Sequence, residues 1–321
     1  MNRIMNILGV DVGGTKCAVI YGIYEDGNVT IADKIKFPTA EVKETIEEII
    51  ASLKTIMQRN NLSPQNTSAV GISCGGPLDS ARGIVMSPPN LPGWDNIRIT
   101  EIIEDRIGVK AKLQNDANAG ALAEWHFGAG KGTSNMVFLT CGTGLGGGII
   151  ADGHLYEGSN GNAGEFGHIR MNDFGPVGYG KSGSFEGFVS GSGIAQLARS
   201  MISEKLQRGE KVAWCNADEL DKVTAKIVAE EAKKGDELAK RVYNVSGYFL
   251  GKGLSVIIDI LNPEMIVIGG IYSRCTDLME PAMNEAIHRE ALSNSLEICR
   301  IVPAALGESI GDYAAISVGV L

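Results

Sequence analysis

The chain has 321 residues, 44% hydrophobic and 21% charged, with a formal net charge of −9. That composition excludes a disordered chain, and the acidic balance argues against a nucleic-acid partner, which clustered Lys and Arg would have to meet. No apolar run approaches the roughly 20 residues of a membrane span, and a length beyond the about 100–200 residues of one core predicts two lobes.

The first predicted elements are strands. Residues 7–37 read as a hairpin or three-strand meander ending at Pro38, with the turn Asp11-Val12-Gly13-Gly14-Thr15-Lys16 between two apolar runs. Gly13 and Gly14 would let backbone N–H groups approach an anion, Thr15 and Lys16 add donors, and Asp11 would hold a hydrated Mg²⁺. Taken alone, the same segment reads as an ordinary hairpin turn before it reads as a phosphate site. Ile46, Ile49, Ile50, Leu53, Ile56 and Met57 then share one face of a helix expected over residues 44–60, the spacing of an element laid on a sheet. A buried strand at residues 69–73 runs into Gly75-Gly76-Pro77, followed by a proline-rich loop over residues 87–94 that could rim a cleft.

A strand over residues 109–113 delivers Asn115 and Asp116 to the start of an alanine-rich helix over residues 117–125. Strand ends are where such sheets keep their chemistry, although Asn and Asp also cap helices. The lobe boundary is expected at this helix, giving lobes of residues 1–120 and 121–305. Residues 136–150 repeat the strand, glycine turn, strand pattern around Gly142, Thr143 and Gly144, so the chain reads as two related halves whose turns would clamp a polyphosphate. A long apolar helix over residues 243–260 contains Gly247, Gly251 and Gly253, which cost helix propensity and so predict close packing against a neighbour. Residues 263–270 read as turn, buried strand and then Gly269-Gly270, and residues 307–318 as a closing helix. The six cysteines are singletons without a CxxC pair, which predicts reduced thiols in a cytoplasm. Asn6 and Asp11 interrupt the apolar N-terminal residues, so no signal peptide is expected.

Five blocks in order, Asp11-Val12-Gly13-Gly14-Thr15-Lys16, Gly75-Gly76-Pro77, Asn115-Asp116-Ala117-Asn118-Ala119, Gly142-Thr143-Gly144-Leu145-Gly146 and Gly164-Glu165-Phe166-Gly167-His168, resemble the ROK sugar kinases and repressors. The resemblance runs nearly end to end. It implies an α/β, two-lobed actin-like (RNase H-like, hexokinase-like) ATPase fold with a cleft between the lobes, residues 306–321 returning to the first lobe. It also implies phosphoryl transfer from ATP, with Mg²⁺, to a sugar hydroxyl, by default the 6-hydroxyl of glucose. By the family pattern Asp116 is the base and Asn115 meets a neighbouring hydroxyl. Glu165, His168 and Glu186 hold the pyranose, with Gly76 and Asn90 contacting it from the first lobe. Asp11, Gly13, Gly14, Thr15, Lys16, Gly142, Thr143, Gly144, Gly269 and Gly270 serve the nucleotide. On their residues alone, His168 could be a structural loop histidine and Glu186 a carboxylate favoured at a helix N-terminus.

Most members carry a cysteine cluster between the positions of His168 and Glu186 that binds zinc with the histidine. Here Val177, Tyr179 and Ser184 stand in that stretch, and one histidine without thiolates cannot close a tetrahedral site. A zinc-free loop held by packing of Tyr179 and Phe185 is expected. The repressors of the family carry a winged-helix segment ahead of the first glycine turn, and only six residues precede Ile7, so an enzyme is expected over a repressor or a sugar-binding protein without turnover. A homodimer is the prior for such an assembly.

Overall fold

Apolar side chains along residues 7–12 and 17–21 bury both faces of the first two strands, and the first sheet grows from them. In the computed structural model, which describes residues 4–320, β1 (Met5–Val12), β2 (Lys16–Glu25) and β3 (Asn28–Pro38) form the expected antiparallel meander. After α1 (Val42–Arg59) comes β4 (Ala69–Cys74), parallel to β1, then a small hairpin of β5 (Leu78–Asp79) and β6 (Ile84–Val85). Helix α2 (Ile99–Ile107) leads to β7 (Ala111–Asn115), parallel to β4, and α3 (Asp116–Phe127) follows without a gap. The first sheet therefore runs β3-β2-β1-β4-β7.

The second sheet is built from β8 (Met136–Cys141), β9 (Leu145–Ala151) and β10 (His154–Leu155). A long excursion follows: the hairpin β11 (Val177–Gly178) and β12 (Lys181–Ser182), then α4 (Phe185–Val189), α5 (Gly191–Gln207), α6 (Ala225–Lys233) and α7 (Glu237–Leu261). The chain returns through β13 (Met265–Gly270), α8 (Ile271–Arg274), α9 (Thr276–Glu290), α10 (Ser293–Leu296), β14 (Arg300–Pro303) and α11 (Ile310–Val320). The order β10-β9-β8-β13-β14 repeats the first sheet's order, third, second, first, fourth and fifth strand. The repetition of glycine turns in the sequence is thus matched by a repetition of topology.

The residues group into two units, one drawn from Met1–Phe138, Gly148–Ala163 and Ala305–Leu321, the other from Leu139–Gly147 and Gly164–Ala304. The first unit continues past residue 120, where the boundary was expected, because the alanine face of α3 packs on α11: Ala119 and Ala123 form one cluster with Ala314 and Val318. The same helix α11 lies on the sheet, and a Cβ at Gly71 would overlap the Ala315 carbonyl oxygen. On the opposite face, Ile49, Ile50, Leu53 and Ile56 of α1 and Ile99 and Ile103 of α2 pack with Val10, Val19, Val70 and Ile72. Trp94, 1% exposed, joins that core and pins the proline-rich loop.

In the second unit, Gly247 and Gly251 of α7 lie where a Cβ would overlap the Met279 and Met283 carbonyls of α9, and a Cβ at Gly253 would overlap the Phe185 ring. All three glycines thus have the close-packing reason expected of them. Helix α7 starts six residues earlier than its apolar run predicts: Asp236 caps it by accepting from Ala239 N at 2.9 Å, and its first turns bury Leu238, Ala239 and Val242 between the exposed Glu237, Lys240 and Arg241. The closing helix is preceded by a 3₁₀ turn at Gly307–Ser309. Among the described residues no helix is long and apolar enough to cross a membrane, and all six cysteines are free and buried.

Candidate active site

Asp11 sits one residue before the end of β1, opposite Ala18 of β2, so the strand delivers its carboxylate next to the first glycine turn. The turn is braced from outside: Gly13 N donates to Lys16 O at 3.2 Å, Thr39 Oγ1 to Gly13 O at 2.6 Å, and Thr39 N to Thr15 O at 3.1 Å. A Cβ at Gly14 would lie 2.6 Å from Asn90 O, and Gly75 also abuts the Asn90 side chain. Asn90, at the tip of the proline-rich loop, is thereby placed over the turn. Gly14, Thr15 and Lys16 are exposed.

Burial, then the charges of Asp116 and Asp312, push the Asp11 carboxyl up to about 6, against the pull of Lys34 and Lys16. Asp312, in the first turn of α11, is ion-paired to Lys34 of β3. A Cβ at Gly311 would lie 2.8 Å from Asp11 Oδ2, so α11 begins directly against this carboxylate. The folded-state pKa is above the ordinary 3.8. The folded chain therefore keeps a proton there that the unfolded chain releases, and this contribution to stability falls as pH rises from about 4 to 6. Asp11→Asn is expected to remove that slope and raise stability at pH 7 by roughly 1–3 kcal/mol, read by denaturant melts across pH. An unaltered slope would mean that Asp11 is not the group responsible.

Asn115 ends β7 and Asp116 opens α3. Both side chains accept from Ala117 N at 2.9 Å, so the capping role open to them in the sequence is filled. Asp116 nevertheless faces solvent. The mass of protein around it raises its pKa, opposed by the hydrogen bond from Ala117; solvent access tempers that rise. A Cβ at Gly76 would lie 3.2 Å from Asn115 Nδ2, and the Gly76–Pro77 peptide is cis. Asp11, Gly14, Gly76, Asn90, Asn115 and Asp116 are thus neighbours within the first unit.

Behind this turn lies a relay that the sequence did not disclose. Buried Gln114 accepts from Asn115 N at 2.8 Å and Asn118 Nδ2 at 3.2 Å, and donates to Glu157 Oε1 at 3.0 Å, which also accepts from Ser80 Oγ at 2.9 Å. A glutamine at an inward strand position was the available signal.

In the second unit, Gly142 N donates to Gly144 O at 3.0 Å, Gly191 N to Gly142 O at 2.8 Å, and Ser192 Oγ to Thr143 O at 2.8 Å. Gly270, at φ +75°, ends β13 so close to the turn that a Cβ would overlap Cys141 O, and Gly269 is buried beside it. Gly142 is different: its φ is not left-handed and a Cβ there would meet nothing within 4 Å. Packing does not require that glycine, and its backbone borders open space.

Glu186, in the first turn of α4, accepts from Leu145 N at 2.9 Å, and a Cβ at Gly144 would lie 2.7 Å from its carboxylate. It therefore braces the second glycine turn. Glu165 and His168 flank the buried Phe166 in a 3₁₀ turn and are both exposed, with His168 N donating to Glu165 O at 3.2 Å.

The segment from His168 to Glu186 is held differently from the expectation. Phe185 is fully buried, as expected, but Tyr179 is 76% exposed and contributes no core packing. Ser184 instead caps α4, accepting from Gly187 N at 3.1 Å, and residues 177–182 close on themselves as the β11–β12 hairpin. The hairpin's tight turn is what points Tyr179 outward. Among the described residues, no group of three or more His, Cys, Asp or Glu could hold a metal ion.

The sequence pattern of the ROK family matches residues 7–317. The glucokinase of Streptomyces coelicolor is 32% identical over 95% of this chain and 94% of its own length. The ROK hexokinase of Thermus thermophilus superposes with a TM-score of 0.79 at 26% identity, covering 98% of this chain and 97% of that one. A ROK family glucokinase from Streptomyces griseus, solved with glucose and AMPPNP, gives 0.75 at 28% identity over 97% and 98%. Repressors match as well: Mlc of Escherichia coli is 26% identical over 77% of this chain and 59% of that protein. The fold is the actin-like ATPase fold of these sugar kinases, and the chain belongs to the ROK family.

Proposed function

We propose that this chain is an ATP-dependent hexose kinase that phosphorylates the 6-hydroxyl of glucose or a related hexose. The observation that carries the reading is Asp116, solvent-facing at the first residue of α3, beside Asn115 and within electrostatic reach of Asp11 and its glycine turn. Phosphoryl transfer asks little covalent chemistry of the protein and much positioning, with a carboxylate to accept the hydroxyl proton. Asp116 takes that proton; a raised pKa brings it nearer the operating pH, where a general base works best. Asn115, fixed by Gln114 from behind, orients the sugar, with Gly76 and Asn90 beside it. Glu165 and His168 offer hydrogen bonds to further hydroxyls, and Glu186 presents the oxygen that Leu145 N does not occupy.

ATP supplies the phosphoryl group, and Mg²⁺ neutralises charge on its phosphates. Gly13, Gly14, Thr15 and Lys16 in one turn and Gly142, Thr143 and Gly144 in the other, with Gly269 and Gly270, are the residues that would hold the nucleotide. Asp11 would hold the hydrated cation, because a carboxylate crowded by Asp116 and Asp312 gains most from a divalent positive charge. The test is ADP release across glucose, mannose, fructose, N-acetylglucosamine and N-acetylmannosamine. Turnover confined to one or two hexoses supports the reading. Hexose binding without ADP release from any of them would turn it toward the sugar-sensing members of the family.

A further inference from the structure

Tyr179 is the residue whose backbone conformation its own chemistry explains least. It has φ +43° and Gly180 after it +75°, consecutive positive values that define a type I′ hairpin turn. Asn, Asp or Gly is favoured there because their side chains tolerate or locally compensate the left-handed conformation. The other non-glycine residues at positive φ among the described residues are Asp26, Asn61, Ser87, Asn96, Asp152 and Asn262, all small and polar. Tyrosine has no such compensation. Nor does burial repay it, since the side chain is 76% exposed.

The ring does meet one named group. It stands edge-to-face against the His168 imidazole, with centroids 6.5 Å apart and planes at 77°, a geometry that aromatic quadrupoles favour. Two residues along the hairpin, Lys181 Nζ donates to His168 O at 2.7 Å. One short hairpin thus holds both the backbone and the ring of an exposed histidine. Local strain retained at an exposed turn, in contact with a residue of a candidate site, points from the strain to a role in that site.

We propose that Tyr179 is a positioning residue for His168: it fixes the imidazole plane and so sets which hexose hydroxyl pattern the histidine accepts. The inference rests on the hexose-binding reading of His168. The substitution that separates this role from a structural one is Tyr179→Asn, which suits the turn better while deleting the ring. Tm is expected to rise by roughly 1–3 °C. The Kd for the best hexose, read by calorimetry, is expected to rise roughly 3–10-fold, the size of one lost aromatic pair, with the KM for ATP unchanged. Tyr179→Phe keeps the ring and should restore hexose affinity.

The contact itself is read by NMR: the chain has four histidines, and the His168 ring protons, assigned with a His168→Gln control, should shift in Tyr179→Asn and not in Tyr179→Phe. A drop in Tm with hexose affinity intact would make Tyr179 a purely structural residue, and a change of oligomeric state with hexose affinity intact would make the ring an interface residue; either overturns the proposal. Binding without phosphorylation would sink the kinase reading alone, leaving Tyr179 to be judged by its Kd and His168 shifts. A chain that binds no hexose overturns both.

Discussion

Asp116→Asn is expected to lower kcat by about 10²–10⁴, the worth of a positioned general base, while hexose affinity stays within a factor of about 3. The local structure should survive. The amide oxygen can still accept from Ala117 N, the bond Asp116 Oδ1 makes at 2.9 Å, and Asn115 keeps its own bond to the same N–H. What disappears is the ability to accept a proton as the hydroxyl attacks. The like-charge pressure on Asp11 also falls, since Asp116 helps hold that carboxyl at about 6. The measurement is steady-state kinetics on the hexose chosen by the ADP-release screen, alongside calorimetric hexose binding. Retention of more than about a tenth of wild-type kcat would remove Asp116 from the role of base.

Glu124→Gln is expected to be the most damaging conservative change to the first unit. Glu124 is fully buried on α3 and accepts three backbone N–H groups: Ala129 N at 2.8 Å and Ala305 N at 3.1 Å on Oε2, and Leu306 N at 2.9 Å on Oε1. A carboxylate is acceptor at both oxygens, whereas an amide must turn a donor toward one of these N–H groups. Losing a charge-assisted bond and leaving a buried donor unsatisfied costs about 3 kcal/mol, or roughly 6–12 °C in Tm for a unit of this size. Hydrogen exchange should localise the loss to the amides of Ala129, Ala305 and Leu306. A melt within 2 °C of wild type, with those amides still protected, would show that the amide is accommodated and that this carboxylate is dispensable.

Glu124 also marks the limit of reading along the chain. The helix α3 is legible from its alanines and from the Asn115-Asp116 start, because capping and propensity act over a few residues. That one of its glutamates is buried is not legible. The partners at residues 305–306 lie far off in sequence, and a Glu in a helix ordinarily faces water. Gln114, Glu157 and the Lys34–Asp312 pair are hidden for the same reason: each acquires its meaning from a residue brought near by folding. The 177–182 hairpin is hidden for a different one. Its turn residues are Tyr-Gly, which break the usual turn chemistry, so the segment reads as loop and Tyr179 as packing.

By itself the sequence determined several of the elements, and its motif blocks carried the resemblance to the family. The three-strand meander, the strand that delivers Asn115 and the long glycine-spaced helix rest on period, turn residues and spacing, interactions that operate within about a dozen positions. Tertiary structure alone decided the electrostatics and the supports. It set the rise of the Asp11 carboxyl through burial and then Asp116 and Asp312, the bracing of the second glycine turn by Glu186, the clamp of Glu124 on residues 305–306 and the His168–Tyr179 contact. These depend on distances of a few ångströms between residues separated by up to 301 positions in the numbering. Desolvation and charge coupling respond to where groups lie in space, which no local pattern of residues encodes.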